Sequence, residues 1–246
     1  MYLSRLELAA GADENPSLWN SLATPYGAHR ELWRLYSRGP EQRRDFLFRY
    51  ESGTGRGSSR PTFFVLSAQP PSRGDGTWEI STTPFAPKLK RGDVLAFRLR
   101  ASPTLKVTER GAKQGKRHDV VMHRKQAARR TGEALDEGRL VQESVREWFE
   151  AKGQPRGGAP LFRLLWTEGE GMGADGLMET RRLPRLQVSG YRQHRMKVED
   201  RSIQFSSVEL DGVVEVMEPE AFLARVGAGF GPQKAFGCGL MLLRRA

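Results

Sequence analysis

Gly227-Ala-Gly-Phe-Gly-Pro-Gln-Lys-Ala-Phe-Gly-Cys-Gly239 runs into Leu240-Met-Leu-Leu243 and follows a segment that opens at Glu218-Pro219 and carries Phe222, Leu223 and Val226 at helical spacing. A helix therefore leads into this glycine-rich loop and a strand leaves it. That order decides between two kinds of fold. Loops that cradle a bound nucleotide run from strand to helix, so that free helix amides face the phosphate. The residues agree: a P-loop needs Ser or Thr after Gly-Lys, whereas Ala235 follows Lys234, and a dinucleotide fingerprint needs a glycine where Lys234 stands. What remains is a backbone freed by glycine, one cation at Lys234 and two aromatic rings, Phe230 and Phe236. It reads either as a surface that follows a phosphate chain or as a tight turn that packs a helix against a strand.

Working outward, the residues before this helix read as two strands, 183–196 and 202–216, so the C-terminal block runs strand, strand, helix, strand. The first half has a similar grammar. Near-alternation over 2–8 predicts a strand, Pro16 opens a helical region, and Thr24-Pro25 restarts it with Thr24 as N-cap and Pro25 in the first turn, running to about residue 37. The runs 46–50 and 62–67 predict a hairpin, 78–81 a short strand, and 92–100 a strand introduced by a Gly-Asp turn and ended by Pro103. Both halves fit a four-stranded antiparallel sheet backed by helices, an α+β class, divided into residues 1–105 and 106–246. The stretch 110–130 is basic and poor in apolar residues and reads as a mobile segment, either a solvated loop or a polyanion contact. Leu140, Val141, Val145, Trp148 and Phe149 then predict a helix closed by Gly153 and Pro155, and a second glycine patch, GEGMGADG, precedes the last block.

The formal net charge of +11, carried mostly by arginine, points to an anionic partner: nucleic acid first, an acidic protein second, a membrane surface third. One cysteine excludes an internal disulfide framework and suits a reducing, cytoplasmic location. Neither a signal peptide nor a run of the ~18 apolar residues needed to span a membrane is visible. His118 and His123 have no carboxylate or cysteine cluster at metal-ligand spacing, and Cys238, between two glycines, reads as a small packing residue.

Two further stretches could carry chemistry. On the helix TPYGAHRELWRLY, residues 24–36, Ala28, Leu32, Leu35 and Tyr36 form an apolar stripe. Tyr26 and His29 flank it one turn apart, and Arg30 and Arg34 lie beyond. A histidine beside a hydroxyl and cations supplies what metal-free RNA cleavage requires: a group to take the ribose 2′-OH proton, one to protonate the departing 5′-oxygen, and a cation for the phosphorane. A lone histidine flanking an apolar stripe is also a common structural residue. The second stretch, SGYRQHRMK at 189–197, sets Arg192, His194, Arg195 and Lys197 on a strand pair that reads either as a groove-entering ribbon or as an exposed hairpin.

Taken together, GPQKAFGCGLMLL at 231–243, Tyr-x-x-His at 26–29 and GDVLAFRLRASPTLK at 92–106 resemble the CRISPR repeat-RNA endoribonucleases of the type I-E Cascade complex, the CasE family. The resemblance spans most of the chain. It implies two tandem ferredoxin-like, RRM-related domains and cleavage of the repeat transcript at the 3′ base of its stem-loop with neither metal nor other cofactor. The implied products are a 5′-hydroxyl and a 2′,3′-cyclic phosphate, and the enzyme stays on its product among other Cascade subunits, with no membrane partner. Residue by residue, it makes His29 the general acid/base, assisted by Tyr26. Lys234, with Gly231, Phe236 and Gly237, becomes the RNA-facing loop, and Arg192, then Arg195 and Lys197, the groove-inserting hairpin. A helix lysine of some relatives has no counterpart here; Trp33 and Arg34 stand in its place, which leaves Arg30 and Arg34 as the helix cations. A non-catalytic RNA-hairpin-binding module of the same fold is the rival reading, and a basic scaffold for an acidic protein is the third.

Overall fold

The computed structural model of the chain describes all residues except 37–44, 52–60, 73, 109–113, 133, 135, 156, 173–177 and 199–200. The first module comprises β1 (Tyr2–Leu8), α1 (Pro16–Leu22), α2 (Pro25–Tyr36), β2 (Phe46–Glu51), β3 (Thr62–Ser67) and β4 (Trp78–Pro84). Its sheet is antiparallel in the order β2-β3-β1-β4. Alternation in β1 sends Leu6 and Leu8 to one face, where Phe46, Phe48, Phe63 and Val65 join them and the stripe Ala28, Leu32, Leu35 and Tyr36 of α2 closes the core. The start of α2 is fixed locally. Thr24 Oγ1 accepts from the Gly27 amide at 3.0 Å, and Gly27 turns so close beneath Ser21 that a Cβ there would lie 1.9 Å from the Ser21 carbonyl oxygen.

The second module begins with β5 (Val94–Ala101) and continues through β6 (Thr104–Val107), β7 (Lys116–Asp119), α3 (Val120–Thr131), α4 (Glu137–Lys152), β8 (Phe162–Leu164), β9 (Trp166–Met172), β10 (Met178–Pro184), β11 (Leu186–Val198), β12 (Arg201–Val216), α5 (Pro219–Ala228) and β13 (Met241–Arg245). Its main sheet runs β11-β12-β5-β13, with β8 also on β12, so that β5, β11, β12 and β13 repeat the arrangement of β1, β2, β3 and β4. The protein is thus α+β, two ferredoxin-like modules in tandem. Leu95, Phe97, Leu99 and Ala101 point from β5 into a core shared with Val145, Trp148 and Phe149 of α4 and Phe222 and Val226 of α5.

Three sequence expectations change. β5 pairs with β12 and β13, so a division after residue 105 would cut the second sheet; alternation identifies which face of a strand is buried but not which strand it pairs with. The basic stretch is ordered where it is described: β7 pairs with β6, and α3 follows, capped by Asp119 and burying Val120, Val121 and Ala128. Residues 109–113 of that stretch lie outside the described residues. The predicted strand 183–196 is two strands, β10 and β11, divided at Arg185; among the described residues β10 pairs only with β9, which holds residues 169–172 of the GEGMGADG patch, and the rest of that patch lies outside the described residues.

The modules meet through their sheets. Leu47 and Leu66 of the first join the core of the second. Beside them Arg49, only 4% exposed, pairs with Glu51 and reaches Glu209 of β12 at 2.9 Å, Arg98 reaches Glu51 at 3.5 Å and Asp211 at 2.8 Å, and Arg100 pairs with Glu209.

Candidate nucleic-acid interface

α2 carries Tyr26 in its first turn, against Phe236 of the glycine-rich loop, and His29 one turn further on. The His29 imidazole is half-buried and lies nearly parallel to Phe48 at 6.1 Å, with Phe46 at 5.6 Å and Trp33 at 5.8 Å. Tyr26 meets Phe236 at 6.4 Å, Phe236 stacks on Phe205 of β12 at 5.1 Å, and Phe205 stacks on His194 of β11 at 4.6 Å. A file of four rings therefore joins the first helix of one module to the long hairpin of the other. Burial, and then the positive charges of Arg100 and Arg192, holds the His194 imidazole below its usual range. It shares a 2.7 Å hydrogen bond with Ser207 Oγ.

The loop serves packing first. Gly229, Gly231 and Gly237 all have φ near +76 to +78°, and a Cβ would meet Leu47 at 2.9 Å, the Ser102 carbonyl at 2.9 Å and Phe48 at 3.3 Å respectively. Phe230 is 1% exposed among Phe149 and Phe162, and Phe236 is buried in the ring file, so neither offers the open aromatic face that its glycine neighbours suggest. Lys234 opens a one-turn 3-10 helix, Lys234–Phe236, that lies against α2; its ammonium donates to the Ala228 carbonyl. Cys238 is fully buried, and burial pushes its thiol up to about 12, which suits a packing residue.

The other candidates sort by position. Arg30 is exposed on α2; Arg34 is also exposed and bridges Glu31 at 2.7 Å. On β11 a register shift between Ser189 and Arg192 separates two regular stretches, and the exposed Arg192 follows it opposite Ser207. Arg192 and His194 share the face of the ring file, whereas Arg195 and Lys197 project to the other face. Arg195 lies across from Gln204, whose amide, in its correct orientation, accepts from the guanidinium at 2.8 and 2.9 Å. The three cations Arg192, Arg195 and Lys197 are therefore split between two faces. His118 and His123 meet edge to face at 6.0 Å, and among the described residues no three His, Cys, Asp or Glu side chains gather as a metal site.

Asp119, which sequence reasoning passed over, ties these parts together. It caps α3 by accepting from the Met122 amide at 2.7 Å, and it also accepts from Tyr191 at 3.0 Å and from Ser206. Burial, and then the Asp119 charge, pushes the Tyr191 phenol up to about 12. The only advance signal was an Asp before an apolar pair, an ordinary N-cap; its partners on β11 and β12 lie more than 70 residues away.

A profile of the family described as "CRISPR associated protein" matches residues 1–245. The chain is 31% identical over 226 residues to the CRISPR-associated endoribonuclease Cse3 of Thermus thermophilus, an alignment covering 89% of this chain and 90% of that protein. It is 24% identical over 244 residues to the CRISPR system Cascade subunit CasE of Escherichia coli, covering 99% and 98%. The structure of Thermus thermophilus Cse3 bound to an RNA representing a pre-cleavage complex aligns with a TM-score of 0.66 at 28% identity, over 99% of this chain and 98% of that one.

Proposed function

Because the chain belongs to the CRISPR-associated protein family and, within it, to the endoribonucleases that include Cse3 and CasE, we propose that it cuts CRISPR repeat precursor RNA at the 3′ base of the repeat stem-loop and remains on the product as a subunit of a Cascade complex in the cytoplasm. The observation that carries this reading is the placement of Tyr26 and His29 one turn apart near the start of α2, the helix against which the loop segment holding Lys234 packs through Tyr26 and Phe236. In the proposed reaction the 2′-oxygen loses its proton and attacks the adjacent phosphorus. The bond from phosphorus to the 5′-oxygen then breaks, and that oxygen takes up a proton. One product ends in a 2′,3′-cyclic phosphate and the other begins with a 5′-hydroxyl. His29 moves the proton, Tyr26 orients the reacting ribose or shares the transfer, and the phosphorane charge falls to Lys234 and Arg30, since Arg34 is engaged with Glu31. Arg192, Arg195 and Lys197 hold the stem from the β11–β12 hairpin, with Gly231 and Gly237 shaping the loop and Phe236 supporting it from beneath.

Incubating the protein with the repeat transcript of its own genome in EDTA tests this reading. One cut at the stem base is expected, blocked by a 2′-deoxy substitution at the scissile nucleotide. Tight hairpin binding without any cut would instead support a non-catalytic module, a reading that the aromatic setting of His29 also fits. Replacing Lys234 by alanine is expected to lower RNA affinity or the cleavage rate on the order of ten-fold, the scale of one charge-assisted contact. Wild-type values for both would confine the loop to packing.

A further inference from the structure

Outside the ring file, the far side of the glycine-rich loop borders an open groove of about 960 Å³ between the β6–β7 hairpin, α3 and α4. Its walls carry Lys106, Arg117, Arg124, Lys152 and Lys234, against a single acid, Glu147. Arg124 is answered from α4, by Glu143 at 3.1 Å and Glu147 at 3.0 Å. Lys125, on the same helix, is answered by Glu137. Lys106, Arg117 and Lys152 differ: among the described residues no carboxylate lies within ion-pair reach of any of the three.

Their placement raises the cost. Lys106 stands directly opposite Arg117 in the two-stranded β6–β7 ladder, a position where like charges destabilise the pair. Lys152 extends over the Trp148 ring at 5.2 Å, and burial, then the positive charges of Arg225 and Arg117, lowers its hold on a proton. Cations that repel one another around a groove, with the acids of the neighbouring helix already engaged by other cations, form a site completed by an anion from outside. The anion must be extended, because the cations lie along the wall from the hairpin to α4 and the loop. The groove is also continuous with the candidate active site: Lys234 lines it, and two residues on, Phe236 is the ring beneath Tyr26.

We propose that this groove, through Lys106, Arg117 and Lys152, binds the phosphates of single-stranded RNA that continues from the stem-loop past the scissile position. The assignment rests on the RNA-cleavage reading and adds to it a second RNA-binding surface, on the helix side of the second sheet.

The test compares three repeat RNAs: the bare stem-loop, and the stem-loop extended by a single strand at its 5′ or its 3′ end. Each is bound by the wild-type protein and by Lys106→Ala/Arg117→Ala over a range of salt, with thermal melting as a check on folding. A phosphate contact on a single strand contributes roughly 0.7 to the slope of log affinity against log salt. The double variant should therefore lose about 1.4 of slope on the 3′-extended RNA, bind it at least several-fold more weakly at low salt, and bind the bare stem-loop within two-fold of wild type. If folding suffers, Arg117→Glu on the exposed end of the hairpin should give the same RNA-selective loss. An unchanged slope on the 3′-extended RNA overturns the proposal, as does an equal loss on the bare stem-loop, which would make the groove part of the stem interface. Loss of binding to poly-glutamate with RNA affinities intact would assign the groove to an acidic protein and overturn it equally. A wild-type protein that ignores all three RNAs would instead sink the RNA-cleavage reading itself.

Discussion

Replacing His29 with alanine should cut the rate of repeat-RNA cleavage by roughly 10²- to 10⁴-fold, the usual contribution of a positioned proton-transfer group, while hairpin affinity stays within about three-fold. The two readouts separate because RNA affinity is carried by phosphate contacts from arginine and lysine, not by the imidazole. The ring also packs against Phe46, Phe48 and Trp33, so alanine leaves a void, and His29→Gln serves as the companion that keeps most of the volume. If both variants melt like wild type and only cleavage collapses, His29 is the proton carrier. Cleavage at the wild-type rate in either variant would remove it from the mechanism and leave the aromatic packing as its whole role.

Replacing Glu209 with alanine should produce the largest loss of stability. Glu209 bridges Arg49 of the first sheet and Arg100 of the second, and the Arg49 side chain is 5% exposed. Removing the carboxylate leaves a buried guanidinium with, among the described residues, only Glu51 as an acidic partner. Breaking buried pairs costs about 3–5 kcal/mol, and since Glu209 keeps about a fifth of its side chain in solvent, the expected cost is about 3 kcal/mol. For a chain of this size that lowers the midpoint of thermal unfolding by roughly 6–12 °C. Glu209→Gln, which preserves shape and one acceptor, should recover part of the loss. A melting curve unmoved by either change would mean that water already screens the network.

The strands and helices that face one core on one side were legible in advance. Leu6 and Leu8 in β1, the odd-numbered apolar residues of β5, and the Ala28, Leu32, Leu35 and Tyr36 stripe of α2 each repeat at the period of their element, and Thr24 marks where α2 starts. What the sequence concealed depended on partners far along the chain. Nothing near β5 indicates that it pairs with β12 and β13. The stretch containing α3 looked unable to fold because it has few apolar residues. Its order comes from Asp119 and from acids on α4, Glu137, Glu143 and Glu147, that neutralise Lys125 and Arg124. At the candidate site, the three-residue spacing was enough to place Tyr26 and His29 together. The same local view could not choose between open faces and a packing turn for Phe230 and Phe236, because glycines around an aromatic ring suit both. Here those glycines let Leu47, Phe48 and Trp148 approach closely enough to bury both rings.

The file from Tyr26 through Phe236 and Phe205 to His194 has a consequence beyond packing. Flat, rigid rings in contact keep their spacing better than flexible side chains would. The file therefore works as a caliper: one jaw is the helix that carries the proposed cutting group, and the other is the hairpin proposed to grip the stem. On that reading, the distance from the gripped stem to the severed bond is a fixed dimension of the protein, and the site of the cut is measured from the duplex rather than spelled by the bases around it.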